Sequence, residues 1–256
     1  MRRGIVIVSL LAAVGCSTAP TPKPAVSTEA PVKTEDKVYT KIDPQTAGSI
    51  KGRITLPGRP KAIKIVDMSE DPQCDKLHRV PVVDNVLVVD RSSKGVANVF
   101  VYIKQGLEGK TFEPSAEPAN IVQEGCWFSP RVMGIQVGQP FRVINSDPLT
   151  HNIHPLAQVN REWNQSQDAG AQPLTRKFTK PEVMVKVKCN IHPWMRGWVG
   201  VVDHPYFQVT GVDGSYELKN LPPGEYVLEA WHEELGTRQV KVTIASSAKP
   251  VQNIAF

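Results

Sequence analysis

The chain has 256 residues, 41% of them hydrophobic, with 22 Pro, 18 Gly and a formal charge of +5. That length fits one large domain or two modest ones, and the Pro and Gly content favours short strands and turns over long helices. Arg2 and Arg3 lie in a segment expected to be removed, so the remaining charge gives no ground for a nucleic-acid partner.

In chain order, residues 1–15 read as an export signal: Arg2 and Arg3, an apolar run over 5–14, then Gly15. The run is only about ten residues, too short to span a bilayer as a helix. Leu11-Ala12-Ala13-Val14-Gly15-Cys16 resembles a bacterial lipobox. The resemblance implies that Cys16 becomes a lipidated mature N-terminus with the membrane as a partner, and Ser17 is compatible with the outer membrane. The plainer alternative is an ordinary signal that happens to hold a cysteine. Residues 16–45 carry repeated Pro, Thr, Ala and Lys, and almost no large apolar side chain before Val38 and Tyr39. Such a stretch buries too little surface to offset the entropy of ordering, so it reads as a disordered tether. An exported protein, periplasmic or at the cell surface, follows from these features.

A strand pattern over 48–56 ends in a Pro57-Gly58 turn, and a second covers 97–103. Between them, an apolar run over 80–89 is broken by Asp84-Asn85 into a hairpin pattern. Further on, 207–218 reads as strand, Asp213-Gly214 turn, strand. A Pro222-Pro223-Gly224 turn follows, then strand patterns over 226–231 and 239–244. The run from Asp213-Gly214-Ser215-Tyr216 to Leu221-Pro222-Pro223-Gly224-Glu225-Tyr226 resembles the second half of a carboxypeptidase-regulatory-like (transthyretin-like) sandwich. The strands at 48–56 and 97–103 resemble its first half. Alone, the C-terminal part has a marginal core. The expected architecture is therefore all-β and discontinuous: a regulatory-like β-sandwich from 46–115 and 205–256, with a second domain inserted over 116–204. Two domains in sequence are the alternative. Such sandwiches are scaffolds, and this resemblance carries no chemistry.

The chemistry concentrates at Cys189-Asn190-Ile191-His192-Pro193-Trp194-Met195, on a loop between strand patterns at 183–188 and 197–202. Two sulfurs and one nitrogen suit copper, and Cys plus His with a weak axial Met is the blue-copper set once a second His joins. His151-Asn152-Ile153-His154 offers two. They lie an odd number of positions apart on a strand pattern, so their side chains face opposite ways and only one reaches the metal. Residues 119–204, with Val137-Gly138 leading to Asn145 and a Cys-x-x-His-x-x-Met spacing, resemble a Greek-key cupredoxin of the amicyanin or plastocyanin type. The resemblance implies one type 1 copper held by His151, Cys189, His192 and axial Met195. It also implies that Asn152 ties the two ligand loops together, and it leaves His154 as a surface or packed histidine.

Amicyanin has Pro two residues after its Cys, where this chain has Ile191. The retained N–H can donate to the Cys189 sulfur, which predicts a higher potential. In the resembled family the solvent-side His emerges through an apolar patch that docks redox partners. Pro193 and Trp194 are candidates for that patch; the alternative is that Trp194 packs beneath the other sandwich and the copper edge is covered. With Cys189 on the metal, Cys74 and Cys126 remain as a disulfide pair in an oxidising compartment, contributing about 3–4 kcal/mol. The rival is a second metal site from Cys74, His78 and Cys126. His204 and His232 read as structural.

The function these features imply is a membrane-tethered, extracytoplasmic one-electron carrier between redox protein partners. Copper holding or delivery without redox cycling is one alternative, and a structural surface module with a vestigial site is another. An enzyme is not expected: multicopper oxidases and copper nitrite reductases need further His-rich ligands, and six histidines do not supply them. Nothing in the pattern fixes an oligomeric state.

Overall fold

The computed structural model describes residues 37–58 and 64–256. The export signal, Cys16 and the tether up to residue 36 lie outside the described residues. The all-β class expected from the sequence holds: the described chain is a succession of strands with one short helix, Pro72–Lys76. No helix among the described residues is long and apolar enough to cross a membrane.

Four larger sheets carry the fold. Gly48–Thr55 lies between Ser215–Leu221, antiparallel to it, and Ile254–Ala255, parallel to it. Facing it, Phe207–Val209, Phe100–Gln105, Gly224–His232 and Gly236–Ile244 form an antiparallel sheet. Ile50, Ile54, Val101, Ile103, Leu218 and Leu228 close the core between these two sheets. The other pair is built from residues 119–202. One sheet runs Gln165–Gln167, His151–Pro155, Glu182–Lys188, Arg196–Val202, Val132–Gln136; the other runs Leu174–Arg176, Phe141–Asn145, Ala119–Glu124, Trp127–Ser129. Ile121, Phe128, Ile135, Phe141, Val187 and Val199 fill the second core.

The strand Phe100–Gln105 is buried at four successive positions, where a half-buried strand would alternate. Both of its faces are covered, which is why its sequence is a continuous apolar run. Val101 and Ile103 point into the first core, while Phe100 and Tyr102 join Val132 and Val202 in a cluster between the two sandwiches. That joint needs glycine. A Cβ on Gly200 would stand 2.6 Å from the Phe100 ring, and one on Gly134 would stand 2.3 Å from the Phe207 ring. Beside it, the buried Arg131 forms a bidentate pair with Glu233, which also accepts from Trp198 Nε1 at 3.1 Å.

Three local expectations change. The run over 80–89 does not fold on itself: Val82–Val83 pairs antiparallel with Ile65–Val66 instead. Asp84 is occupied in a local turn, accepting the Val86 amide at 3.0 Å. The strands on either side of Asp213-Gly214 do not pair as a hairpin, because Phe207–Val209 and Ser215–Leu221 belong to opposite sheets. Order also begins ahead of 46: the Thr40 amide donates to Thr111 O at 2.7 Å, and Ile42 packs on the first core. Residues 40–45, assigned to the tether for their composition, thus gain backbone and apolar partners that composition does not show.

Candidate metal centre

Neighbouring strands deliver the site. Glu182–Lys188 runs into Cys189, and the chain returns as Arg196–Val202, with Lys188 opposite Arg196. The connecting loop closes on itself through Cys189 N–H to Met195 O at 2.9 Å and Met195 N–H to His192 O at 3.0 Å. His151 opens the strand His151–Pro155, which pairs with Glu182–Lys188 on its other side. Asn145 pins the loop before it, donating to Leu149 O and Gln167 O at 2.9 and 3.0 Å.

These elements bring His151, Cys189 and His192 together. All three are buried, and their ligand atoms lie within 4.8 Å of one another. His151 Nδ1 is 3.0 Å from His192 Nδ1, and Cys189 Sγ is 3.6 Å from the same His192 nitrogen. The far side of each ring faces a carboxylate: His151 Nε2 meets Asp147 Oδ2 at 2.7 Å, and His192 Nε2 meets Asp71 Oδ2 at 3.1 Å. An ionised carboxylate only accepts, so each Nε2 carries the hydrogen and each Nδ1 presents a lone pair. Two lone pairs facing at 3.0 Å repel unless a cation stands between them.

Without a metal, that cation is a proton. Burial pushes His151 down, but the Asp147 carboxylate and the Cys189 sulfur outweigh it and lift its pKa to about 9. Burial pushes the Cys189 thiol up, but His151 and the amides of Asn152, His192 and Ile191 bring it down to about 6. Burial also raises Asp147, yet His151 and the amides of Cys126 and Gly125 hold it below the usual carboxylate range. Once His151 gives up that proton, the set is a thiolate beside two rings with inward lone pairs, a donor chemistry that suits copper.

Asn152 spans both loops. Its Oδ1 accepts the Asn190 amide at 2.6 Å and lies 3.2 Å from the Cys189 sulfur, which donates to it only when protonated. Met195 is fully buried in the same cluster as Cys189. His154 lies apart, with Nε2 on Glu162 Oε1 at 2.6 Å. Ile191 is 49% exposed. Pro193 is exposed too, but Trp194 packs under the 64–83 segment, against the cluster of Met68, Cys74, Cys126 and Leu149. His192 is 1% exposed, so its ring does not emerge through an apolar patch.

Cys74 and Cys126 are joined in a disulfide. His78, grouped with them as a rival metal site, instead places Nε2 on Gly125 O at 2.8 Å. His204 sits on the Ile103 carbonyl at 2.8 Å, and His232 Nδ1 accepts the Glu234 amide at 3.1 Å. Sequence reasoning missed Asp71 and Asp147. Asp147 stands four residues ahead of His151, and Asp71 heads an Asp-Pro helix start three residues before Cys74; those are the signals that could have found them.

No family model and no curated protein matches the chain. Among solved structures, it is similar to a copper-containing nitrite reductase from Thermus scotoductus SA-01, at 25% identity over 37% of this chain and 24% of that one, with a TM-score of 0.31. A purple cupredoxin from Nitrosopumilus maritimus is similar at 23% identity over 32% of this chain and 98% of that one, with a TM-score of 0.28. A Cu(I) amicyanin mutant is similar at 23% identity over 35% of this chain and 86% of that one, with a TM-score of 0.30. The chain thus spans about a quarter of the nitrite reductase it matches.

Proposed function

We propose that this chain is a type 1 copper protein of the cupredoxin class that carries single electrons between redox proteins and is not an enzyme. The observation that carries the reading is the convergence of two inward Nδ1 atoms and a thiolate, with both rings held from behind by carboxylates. His151, Cys189 and His192 would hold the ion, and the Met195 thioether would be a weak fourth donor. Copper supplies a one-electron couple there. The chain's own contribution is rigidity: both rings are hydrogen-bonded at Nε2, Asn152 links the two loops, and the surrounding core excludes water. A donor set fixed in this way needs little rearrangement when charge changes.

In this reading, 116–204 is the metal-holding domain, inserted into the regulatory-like sandwich of 46–115 and 205–256. Export, lipidation at Cys16 and attachment to a membrane, the outer one by preference, belong to the same proposal. A second reading is favoured by one observation: His192 is almost fully buried, which suits a protein that holds or delivers copper without cycling it.

One experiment separates the two. Full-length protein is loaded with Cu(II) and followed by visible absorption, electron paramagnetic resonance and voltammetry. An intense thiolate-to-copper band with a reversible couple supports the carrier. Copper uptake without colour favours holding or delivery, and no uptake overturns both.

A further inference from the structure

The two carboxylates behind the rings come from different places. Asp147 is on the same loop as His151, four residues ahead of it. Asp71 comes from the 64–83 segment, 121 positions before His192, and belongs to neither ligand loop. Its two oxygens have separate tasks. Oδ1 accepts the Gln73 and Cys74 amides at 2.9 and 3.2 Å and so starts the helix Pro72–Lys76. Oδ2 takes His192 Nε2 at 3.1 Å.

The helix is itself anchored. Its Cys74 is bonded to Cys126, and both sulfurs lie within 4.8 Å of a His192 ring nitrogen. Asp71 keeps 29% side-chain exposure while His192 keeps 1%. Solvent therefore reaches the carboxylate and not the ring. An open groove lined by Asp71, Thr150, Asp168 and Ile191 leads to this pair.

We infer that Asp71 is a positioning residue for the copper centre: it turns His192 Nδ1 inward, adds negative charge behind the ring, and relies on the Cys74–Cys126 bond to stay there. The inference rests on the copper reading above and goes beyond it, because it moves part of the control of the redox couple outside the ligand loops. A carboxylate on the far ring nitrogen raises the basicity of the ligand. Negative charge so placed favours Cu(II) over Cu(I).

Asp71→Asn tests this, because Asn is as good an N-cap as Asp and carries no charge. It separates the helix task from the ring task. In the copper-loaded full chain, the charge-transfer band is retained while the ratio of Cu(II) to Cu(I) affinity falls about tenfold or more, a rise of about 59 mV per tenfold. In the metal-free chain, nitrogen NMR of His192 moves from a single tautomer to a mixture. Asp71→Glu, which restores the charge, returns the potential toward the wild-type value. Replacing Cys74 and Cys126 by Ser shifts the potential in the same direction as Asp71→Asn, and combining the changes adds little further.

A coloured wild type with an unchanged potential and tautomer in Asp71→Asn overturns the inference and leaves the copper reading standing. A wild type without the band overturns the copper reading and this inference with it. Should Asp71→Asn fail to fold, Asp71→Ser, another uncharged capping side chain, carries the same comparison.

Discussion

His151 and His192 meet Nδ1 to Nδ1 at 3.0 Å, each with Nε2 committed to a carboxylate. The pair cannot be neutral and at ease. It holds a cation, and which cation is present sets the behaviour of the site with pH.

The first prediction is a proton count. With Cys189 titrating at about 6 and His151 at about 9, the metal-free site at neutral pH holds a thiolate and an imidazolium. Copper must displace the imidazolium proton, so uptake releases one proton per ion. Below pH 6 the thiol is also protonated and the release rises to at least two; above pH 9 it falls to none. Apparent affinity therefore climbs with pH, more steeply below 6 than between 6 and 9. Calorimetry in buffers of different ionisation heat measures the count, and two protons released at neutral pH would contradict the thiolate assignment.

The two histidines of the 151–155 strand should respond oppositely to truncation. His151→Ala removes one inward nitrogen and leaves Asp147 buried without its ring, so metal uptake is lost. His154→Ala removes the pairing with Glu162, worth at most about 1 kcal/mol, and a 3.3 Å contact with Asn190 Oδ1, and leaves uptake unchanged. Equilibrium copper titration of both variants decides between them.

Ile191→Pro should lower the reduction potential. The Ile191 amide is one of the groups that hold the Cys189 thiol down, and proline has no N–H to offer. The side chain is half exposed, so little packing is lost with it. Voltammetry that shows no shift would remove this amide from the account of the potential.

Glu233→Ala should cost about 3–5 kcal/mol, because it strands the buried Arg131 guanidinium between the sandwiches and leaves Trp198 Nε1 without its acceptor. Urea denaturation of the metal-free chain measures it. A change of only a few tenths of a kcal/mol would mean that solvent reaches Arg131 in the variant.

The strands and the ligand loop were legible because their signals are local. Tyr216 and Leu218 alternate with exposed neighbours, and Cys189 and His192 lie within one short loop. Asp71 was not legible, since its bond to His192 spans 121 positions and nothing in its immediate surroundings points to the ligand loop. Phe100 shows the same limit in the core. Its apolar run announces burial, but not that the second buried face belongs to a joint with Gly134 and Gly200. The Asp213-Gly214 turn was legible as a turn, but a two-residue signal does not say whether the chain returns to its own sheet or crosses to the opposite one.

The Cys74–Cys126 bond reaches both rings. Through Cys74 it holds the helix start that carries Asp71; through the amides of Cys126 and Gly125 it steadies Asp147, which accepts them at 2.8 and 2.6 Å. One covalent link thus stands behind both imidazoles. On the copper reading, the expected order of maturation is oxidation of this pair first and loading second. A copper ion arriving earlier would find Cys189 with two unbraced rings and two competing thiols close by, a softer and less selective trap than the finished site.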